Sequence, residues 1–309
     1  MNETRAAVLA AIDDDGPVGG PELADRLDVS RTAVWKHVEA LRDAGFEIES
    51  GDDGYRLLAI PDSGGPAVAS GLGAPYRIEY PDAIGSTNDR ARELATDGEH
   101  EVVVLADEQT GGRGRLEREW ASPSGGIWCS IVIRPDWPAA AAPRATLAAA
   151  VAVTGALAEA GVDAGIKWPN DVLAADGRKL AGILTEMEGE ADRIRWLVVG
   201  IGLNAAVDPD ALPETAASVV EYVDPVDRRR LTQGILERFA ALVADPDGIL
   251  PAWREHADTL GRRVGVDTPG GRVEGVAVDV VEPGALVLET DDGERTVHAG
   301  DCEHLRPVE

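Results

Sequence analysis

The stretch Asp107–Trp120, DEQTGGRGRLEREW, reads as the end of a strand, then a glycine-rich turn carrying two arginines, then a tryptophan. Gly111, Gly112 and Gly114 can take positive φ and let backbone N–H groups approach a ligand. Arg113 and Arg115 add planar forks suited to carboxylate or phosphate oxygens. Upstream, Val102–Ala106 is apolar throughout, as a buried strand should be; downstream, Gly126–Arg134 alternates well enough for a return strand. The loop therefore joins two strands of a sheet, and the rest of the chain is read by what it adds to that sheet.

Working outward, Arg77–Tyr80 predicts a strand and Ser86-Thr87-Asn88-Asp89 a helix start running to Ala95. On its own this Ser-x-x-Asp is a cap; free hydroxyl and amide groups at a helix N-terminus also suit a polar ligand. Pro143–Gly161 is an alanine-rich core helix. Gly165–Leu173, GIKWPNDVL, sets a lysine, a tryptophan, an Asn and an Asp around a proline where a strand should end. Asp176–Leu184, DGRKLAGIL, turns into another strand with Lys179 at its entry, and Ile194–Asn204, IRWLVVGIGLN, is a buried strand ending in two glycines and Asn204. Four polar clusters, each at the end of a strand or helix, point to one convergent site. Arg228–Asp245 and Ile249–Leu260 follow as helices, with Pro251 in the first turn of the second. From Val264 the chain becomes short alternating strands broken by PGG, EPG and DDG, as in a small barrel-like β domain.

In the other direction, residues 1–60 have the pattern of a winged helix-turn-helix. Thr4–Ile12 predicts one helix, Pro21 opens a second carrying Leu23, Ala24 and Leu27, and Ser30 caps a third over Arg31–Ala44. Phe46–Glu49 and Tyr55–Leu58 alternate as two strands around the turn Gly51–Gly54, the wing. The third helix is the one that enters a major groove in this motif. Its candidate DNA contacts are Ser30, Arg31, Lys36, His37 and Arg42. Yet residues 1–60 carry six Arg or Lys against thirteen Asp or Glu, the reverse of the usual basic footprint. A module used for protein contacts stays open beside DNA binding. Residues 61–75, PDSGGPAVASGLGAP, have the composition of a linker. The expected division is 1–60, linker 61–75, a central domain 76–261 and a C-terminal β domain 262–309, an α+β protein overall.

Charge is the strongest compositional signal. The net charge is −27 over 309 residues, and only Lys36, Lys167 and Lys179 among 29 basic residues are lysines. Acidic side chains run along the whole chain with no separate acidic tail, which reads as adaptation to a salt-rich cytoplasm, a halophile, with a generally acidic mesophilic protein as the alternative. With lysine this scarce, each one merits a specific reading. No run approaches the length of a membrane span and the N-terminus lacks a signal-peptide pattern, so a cytoplasmic protein with no membrane partner is expected. Cys129 and Cys302 are too few and too far apart for a disulfide framework or a cysteine zinc site.

No Walker-type loop, Ser/His/Asp set or His/Cys metal spacing stands out. Arginines, a lysine, amides, hydroxyls and tryptophans can bind anions, stabilise developing negative charge and stack flat rings. That suits a ligase activating a carboxylate with ATP, or a ligand-sensing DNA-binding regulator, and the residues alone leave both open.

In this order, Ser86-Thr87-Asn88, GRGR at Gly112–Arg115 followed by Trp120, KWPND at Lys167–Asp171, KLAGIL at Lys179–Leu184 and GIGLN at Gly200–Asn204 resemble the biotin–protein ligase family. With the winged helix in front and the β domain behind, the chain is similar to the bifunctional class in which the ligase is also the biotin-operon repressor. The resemblance implies a class II synthetase-like central domain and an SH3-like C-terminal barrel. It implies activation of biotin by Mg-ATP to biotinyl-5′-AMP, transfer to a lysine of a biotin carboxyl carrier protein or domain, a DNA operator and a ligand-bound homodimer. No permanent metal site is implied, only magnesium arriving with ATP. Ser86, Thr87, Asn88, Gln109, Gly112, Gly114 and Gly182 are expected at biotin, and Arg113, Arg115 and Lys179 at the reacting carboxylate and α-phosphate. Arg118, Trp120, Asn170, Asp171 and Asn204 join Arg113 and Arg115 around the nucleotide. A ligase whose winged helix does not bind DNA and a biotin-sensing regulator without transfer activity are the alternatives; the GRGR and KWPND pair disfavours a lipoate ligase. The sequence departs from the family pattern at Glu117, where a glycine usually precedes the arginine.

Overall fold

The computed structural model describes residues 3–14 and 16–305; residues 1–2, 15 and 306–309 of the expected domain ranges lie outside the described residues. The chain begins with α1 (Glu3–Asp14), α2 (Gly20–Arg26) and α3 (Arg31–Asp43), followed by the hairpin of β1 (Glu47–Gly51) and β2 (Gly54–Ala59). Ser30 caps α3 by accepting from the Ala33 N–H at 3.1 Å. Val8, Ile12, Leu23, Val34, Val38, Leu41 and Phe46 close one small core, the apolar set the helical spacing predicts.

The segment 61–75 is a docked connection, not a free tether. It contains α4 (Gly65–Ala69), with Ala67 buried in the first module's core and Val68 in the central one. Gln233 donates to the carbonyls of Val68 and Ser70 at 2.9 and 2.7 Å, and Glu237 accepts from the Gly73 N–H at 2.7 Å. Composition signals a turn-rich stretch; it does not reveal that a helix far along the chain supplies hydrogen-bond partners for it.

The central elements are β3 (Arg77–Glu79), β4 (Ala83–Ile84), α5 (Thr87–Thr96), β5 (Val102–Ala106), β6 (Glu108–Gln109), β7 (Ile127–Ile133), α6 (Pro143–Glu159), β8 (Ala164–Lys167), β9 (Asp171–Ala174), β10 (Lys179–Glu190), β11 (Arg193–Leu203), α7 (Arg228–Ala244) and α8 (Ile249–Glu255). Seven strands form one sheet in the order β3-β5-β7-β11-β10-β9-β8, parallel only between β3 and β5. Its faces follow the period of two. Val103, Leu105, Ile131, Leu197 and Val199 pack with α6, α7 and α8; Val102, Val104, Val132, Trp196 and Val198 pack with α5.

Two sequence expectations change here. The run Ala139–Glu159 does have the length and apolarity of a membrane span, but 72% of its most apolar window is buried inside the protein, so it is a core helix. The last helix stops at Glu255 rather than Leu260, because Ile166 draws the next residues into strand-like pairing: it donates to the His256 carbonyl at 2.7 Å and accepts from the Asp258 N–H at 2.9 Å.

The C-terminal strands are β12 (Arg263–Thr268), β13 (Gly271–Val281), β14 (Ala285–Thr290), β15 (Gly293–Val297) and β16 (Asp301–His304). They form an antiparallel sheet in the order β15-β14-β13-β12-β16, with β15 and β16 as its edges. Trp168, in the tight turn between β8 and β9, is buried and joins the two sheets. Its N–H donates to Thr259 Oγ1 and its indole N–H to the Gly284 carbonyl, both at 2.9 Å.

Candidate functional site

A cleft of about 1220 Å³ opens where the glycine loop, the N-terminus of α5, the β8–β9 turn, the start of β10, the end of β11 and the edge strand β16 converge. Every residue expected at the ligase site lines it except Gly112, which backs the wall instead. A Cβ on Gly112 would lie 2.5 Å from both Ser122 Oγ and the Trp120 carbonyl oxygen, so glycine is there for close packing within the loop.

One end of the cleft is a neutral hydrogen-bonding wall. Ser86 caps α5 through the Asp89 N–H, so the plain reading of Ser-x-x-Asp is also correct. Gln109 Oε1 accepts from the Thr87 N–H at 2.8 Å and its hydroxyl at 3.0 Å, while Gln109 Nε2 donates to Ser122 at 3.0 Å. The Ser130 hydroxyl, fully buried on β7, lies 2.6 Å from Asn88 Oδ1 and 2.8 Å from Thr87 Oγ1. Asn88 Nδ2 donates to Glu186 at 2.9 Å. Both amides are thus oriented by neighbours before any ligand arrives. Asn88 in turn requires Gly200, where a Cβ would fall 2.2 Å from Asn88 Oδ1. Ser130 and Glu186 escaped the sequence reading because each sits singly in an otherwise ordinary strand.

The other end is charged. Lys179 Nζ lies 2.7 Å from Asp171 Oδ1 and 4.8 Å from the centre of the Trp120 ring. The Trp120 ring covers Gly202, where a Cβ would come within 2.7 Å of the indole nitrogen. That indole N–H and Asn204 Oδ1 are buried polar atoms without partners, a donor and an acceptor on the same cleft wall. Arg113 pairs with Asp89, whose carboxyl is held below its ordinary range by that guanidinium. Arg115 donates to Asn170 Oδ1 at 3.0 Å and to the Gly300 carbonyl at 2.9 Å, and Arg118 reaches Asp301 Oδ2 at 2.5 Å.

Asp301 therefore ties the glycine loop to the C-terminal sheet across 183 residues of sequence, a link no local motif announces. Lys167 also lines the cleft. The scarcity of lysine that singled out Lys179 applies equally to Lys167 and was the available signal. Cys129 lies on the cleft floor, but burial pushes its thiol up to about 12, which removes it as a thiolate nucleophile at neutral pH. Asp171 and Asn204 offer hard oxygen donors of the kind a nucleotide-borne magnesium accepts.

The departure at Glu117 has a backbone consequence. Leu116 and Glu117 have φ of +55° and +56°, the left-handed region in which glycine costs least. The turn is built here without a glycine, and the Glu117 carboxylate comes within 3.7 Å of Arg113 Nε.

Of the residues expected at DNA, Arg31 and Lys36 are exposed on α3 and His37 is half-buried. Arg42 is committed elsewhere. It donates to the Ile48 carbonyl through Nε at 3.1 Å and Nη2 at 2.7 Å, to Ser50 at 2.7 Å and to Glu39 at 2.6 Å. It braces the wing. The Ser30 hydroxyl is likewise occupied by the cap.

Residues 80–204 match the biotin/lipoate A/B protein ligase family, residues 4–56 an HTH domain and residues 259–305 the biotin protein ligase C-terminal domain. The chain is 39% identical over 304 residues to the bifunctional ligase/repressor BirA of Bacillus spizizenii, covering 93% of each. It is 35% identical to the biotin–[acetyl-CoA-carboxylase] ligase of Mycobacterium tuberculosis over 76% of this chain and 92% of that one. The structure of the Aquifex aeolicus biotin protein ligase in complex with biotin and ATP superposes with a TM-score of 0.63 at 25% identity, covering 74% of this chain and 99% of the other.

Proposed function

Since the chain belongs to the biotin protein ligase family, we propose that it joins biotin to a lysine of a biotin carboxyl carrier protein or domain in two steps within this cleft. A biotin carboxylate oxygen attacks the α-phosphorus of Mg-ATP, the bond to the bridging oxygen breaks, and pyrophosphate leaves. The acceptor amine then attacks the acyl carbonyl of biotinyl-5′-AMP, loses a proton and displaces AMP, leaving an amide.

The observation that carries this reading is the division of the cleft into a neutral amide-and-hydroxyl wall and a charged end where Lys179, Arg113, Arg115 and Arg118 gather. Ser86, Thr87, Asn88 and Gln109 offer the donors and acceptors a ureido ring requires. Lys179, Arg113 and Arg115 neutralise carboxylate and α-phosphate as they combine, which is electrostatic stabilisation rather than proton transfer. Trp120, Asn170, Asp171, Asn204 and Arg118 hold the nucleotide and its magnesium, with Lys167 added from its place on the wall. Gly114 and Gly182 give close approach for biotin. Arg113, Arg115 and Arg118 exchange present partners for phosphate when ligand binds, and the loop then shields the anhydride from water.

The helix-turn-helix makes the chain a biotin-responsive repressor as well, acting on a DNA operator as a ligand-bound homodimer. Residues 1–60 form the DNA-reading module, 76–261 the class II synthetase-like catalytic domain and 262–309 an SH3-like barrel opened between β15 and β16. The acidic surface and the three lysines fit a salt-rich cytoplasm. Incubation with biotin, Mg-ATP and a carboxyl-carrier domain at low and high KCl, scored by mass spectrometry, tests the ligase. Biotin on the carrier lysine is expected. Biotin binding without transfer at either salt would replace the ligase with a ligand-sensing regulator.

A further inference from the structure

The exposed side of α3 carries Arg31, Thr32, Trp35 and Lys36, and these form two adjacent pairs at i and i+4. Trp35 is 51% exposed. The other six tryptophans are accounted for: five are buried, and Trp120 lies on the cleft wall. The lysines tell the same story. Lys167 and Lys179 line the cleft, and Lys36, the third and last, stands beside Trp35. A chain that has almost dispensed with lysine and buries its indoles places one of each, side by side, on the helix that this motif presents to a major groove.

We infer that Trp35 is the base-reading residue of α3, its indole lying against thymine methyls and base edges in the major groove of duplex DNA while Arg31 and Lys36 grip the flanking phosphates. The inference rests on the DNA-reading role proposed above and names how that role is performed. With Arg42 bracing the wing, Arg31 and Lys36 are the two arginine or lysine side chains on that exposed face, in a module of six basic against thirteen acidic residues. Phosphate attraction is therefore small, and salt weakens it further. Apolar contact with a thymine methyl is not lost to salt in this way and discriminates between bases. Two phosphate contacts per module make four in the ligand-bound homodimer, a slope of log affinity against log salt of about −4, shallow for a DNA-binding protein.

The test uses the full chain with biotin and Mg-ATP and a pool of random-sequence duplex DNA, selecting bound duplexes at two KCl concentrations. Wild type should enrich a motif. Trp35→Ala and Trp35→Gln, checked for unchanged helical circular dichroism, should bind that duplex at least tenfold more weakly, close to a scrambled duplex, with the salt slope unchanged. Lys36→Ala, which removes one contact from each protomer, should make the slope shallower by about 2 while keeping the preference for the motif. Trp35 variants that discriminate motif from scrambled duplex as well as wild type overturn the inference. If wild type itself enriches nothing, the DNA-reading role falls and the inference with it, an outcome distinct from the first.

Discussion

Replacing Lys179 with glutamine should lower the rate of biotinyl-5′-AMP formation by about 10²–10³, and the structure says where that factor comes from. The Lys179 ammonium stands at the charged end of the cleft, 2.7 Å from Asp171 and 30% exposed at its side chain. A unit charge about 4 Å from an anion interacts by roughly 4 kcal/mol at the effective dielectric of about 20 that suits a partly buried site. Part of that attraction is already present when biotin and ATP are merely bound. The part that appears only as carboxylate and phosphate oxygens crowd together is comparable to losing one oxyanion-hole donor, about 2.7–4 kcal/mol.

The substitution also removes the cation paired with Asp171. Asp171→Asn alone should cost activity as well, because it frees the lysine and weakens an oxygen donor to the nucleotide's magnesium, and since the two side chains act as a pair the double variant should lose about tenfold less than the product of the two single losses. Such coupling lies within the usual range of about 0.5–3 kcal/mol for residues in contact. Single-turnover release of pyrophosphate at saturating biotin and Mg-ATP measures the four variants. A Lys179→Gln rate within threefold of wild type, or effects of the two substitutions that simply add, would refute the reasoning.

Gly200→Ala should raise the KM for biotin at least tenfold and leave that for ATP little changed, since the new methyl would occupy the place of Asn88 Oδ1; equal effects on both substrates in steady-state assays would count against the neutral wall as the ureido site. Asp89 contributes to stability in a pH-dependent way. Its folded pKa lies below the ordinary 3.8 because of the Arg113 hydrogen bond, so its contribution is fully present above that value and lost as pH falls through the lowered one. Thermal melts should thus show Asp89→Asn with a flatter acid limb than wild type, and parallel limbs would deny the coupling. Arg42→Ala should destabilise the N-terminal module by about 1–3 kcal/mol through the carbonyl of buried Ile48 that it abandons. Denaturant unfolding followed by circular dichroism reads this, and an unchanged midpoint together with weaker DNA binding would return Arg42 to the phosphate contacts.

Where the residues that make an element also stabilise it, the sequence was a sound guide. Val102–Ala106 is a strand between the very residues its apolar run marks out, and Ser30 and Ser86 cap helices that start one residue later. The four polar clusters converge because each lies where a strand or helix ends, and the seven-stranded sheet with the helix packed on it brings those ends around one cleft. What stayed hidden depends on partners distant in sequence. Arg42 reads as a cation on a recognition helix until Ile48 and Ser50 fold back onto it. The helix expected through Leu260 loses its last turn to the exposed edge of β8, and no propensity within 249–260 encodes that competition.

The same distinction explains why the C-terminal sheet was read as a separate domain and yet completes the site. Its strands alternate and turn locally, so their existence was readable. Their docking combines a shared core, to which Val264, Val266, Ala277, Val280, Leu286 and Leu288 contribute, with polar links made one side chain at a time: Trp168 donating to the Gly284 carbonyl, Arg115 to the Gly300 carbonyl, Arg118 paired with Asp301, Arg254 with Asp279 and Arg144 with Glu282. Two of these links come from the glycine loop itself. The loop is thus braced from β16 while its arginines lack phosphate, and any ligand that recruits Arg115 and Arg118 must loosen that brace. A loop that turned these two guanidinium groups wholly to phosphate would give up its links to the Gly300 carbonyl and to Asp301, so closure over the nucleotide should weaken the hold of the C-terminal sheet at β16.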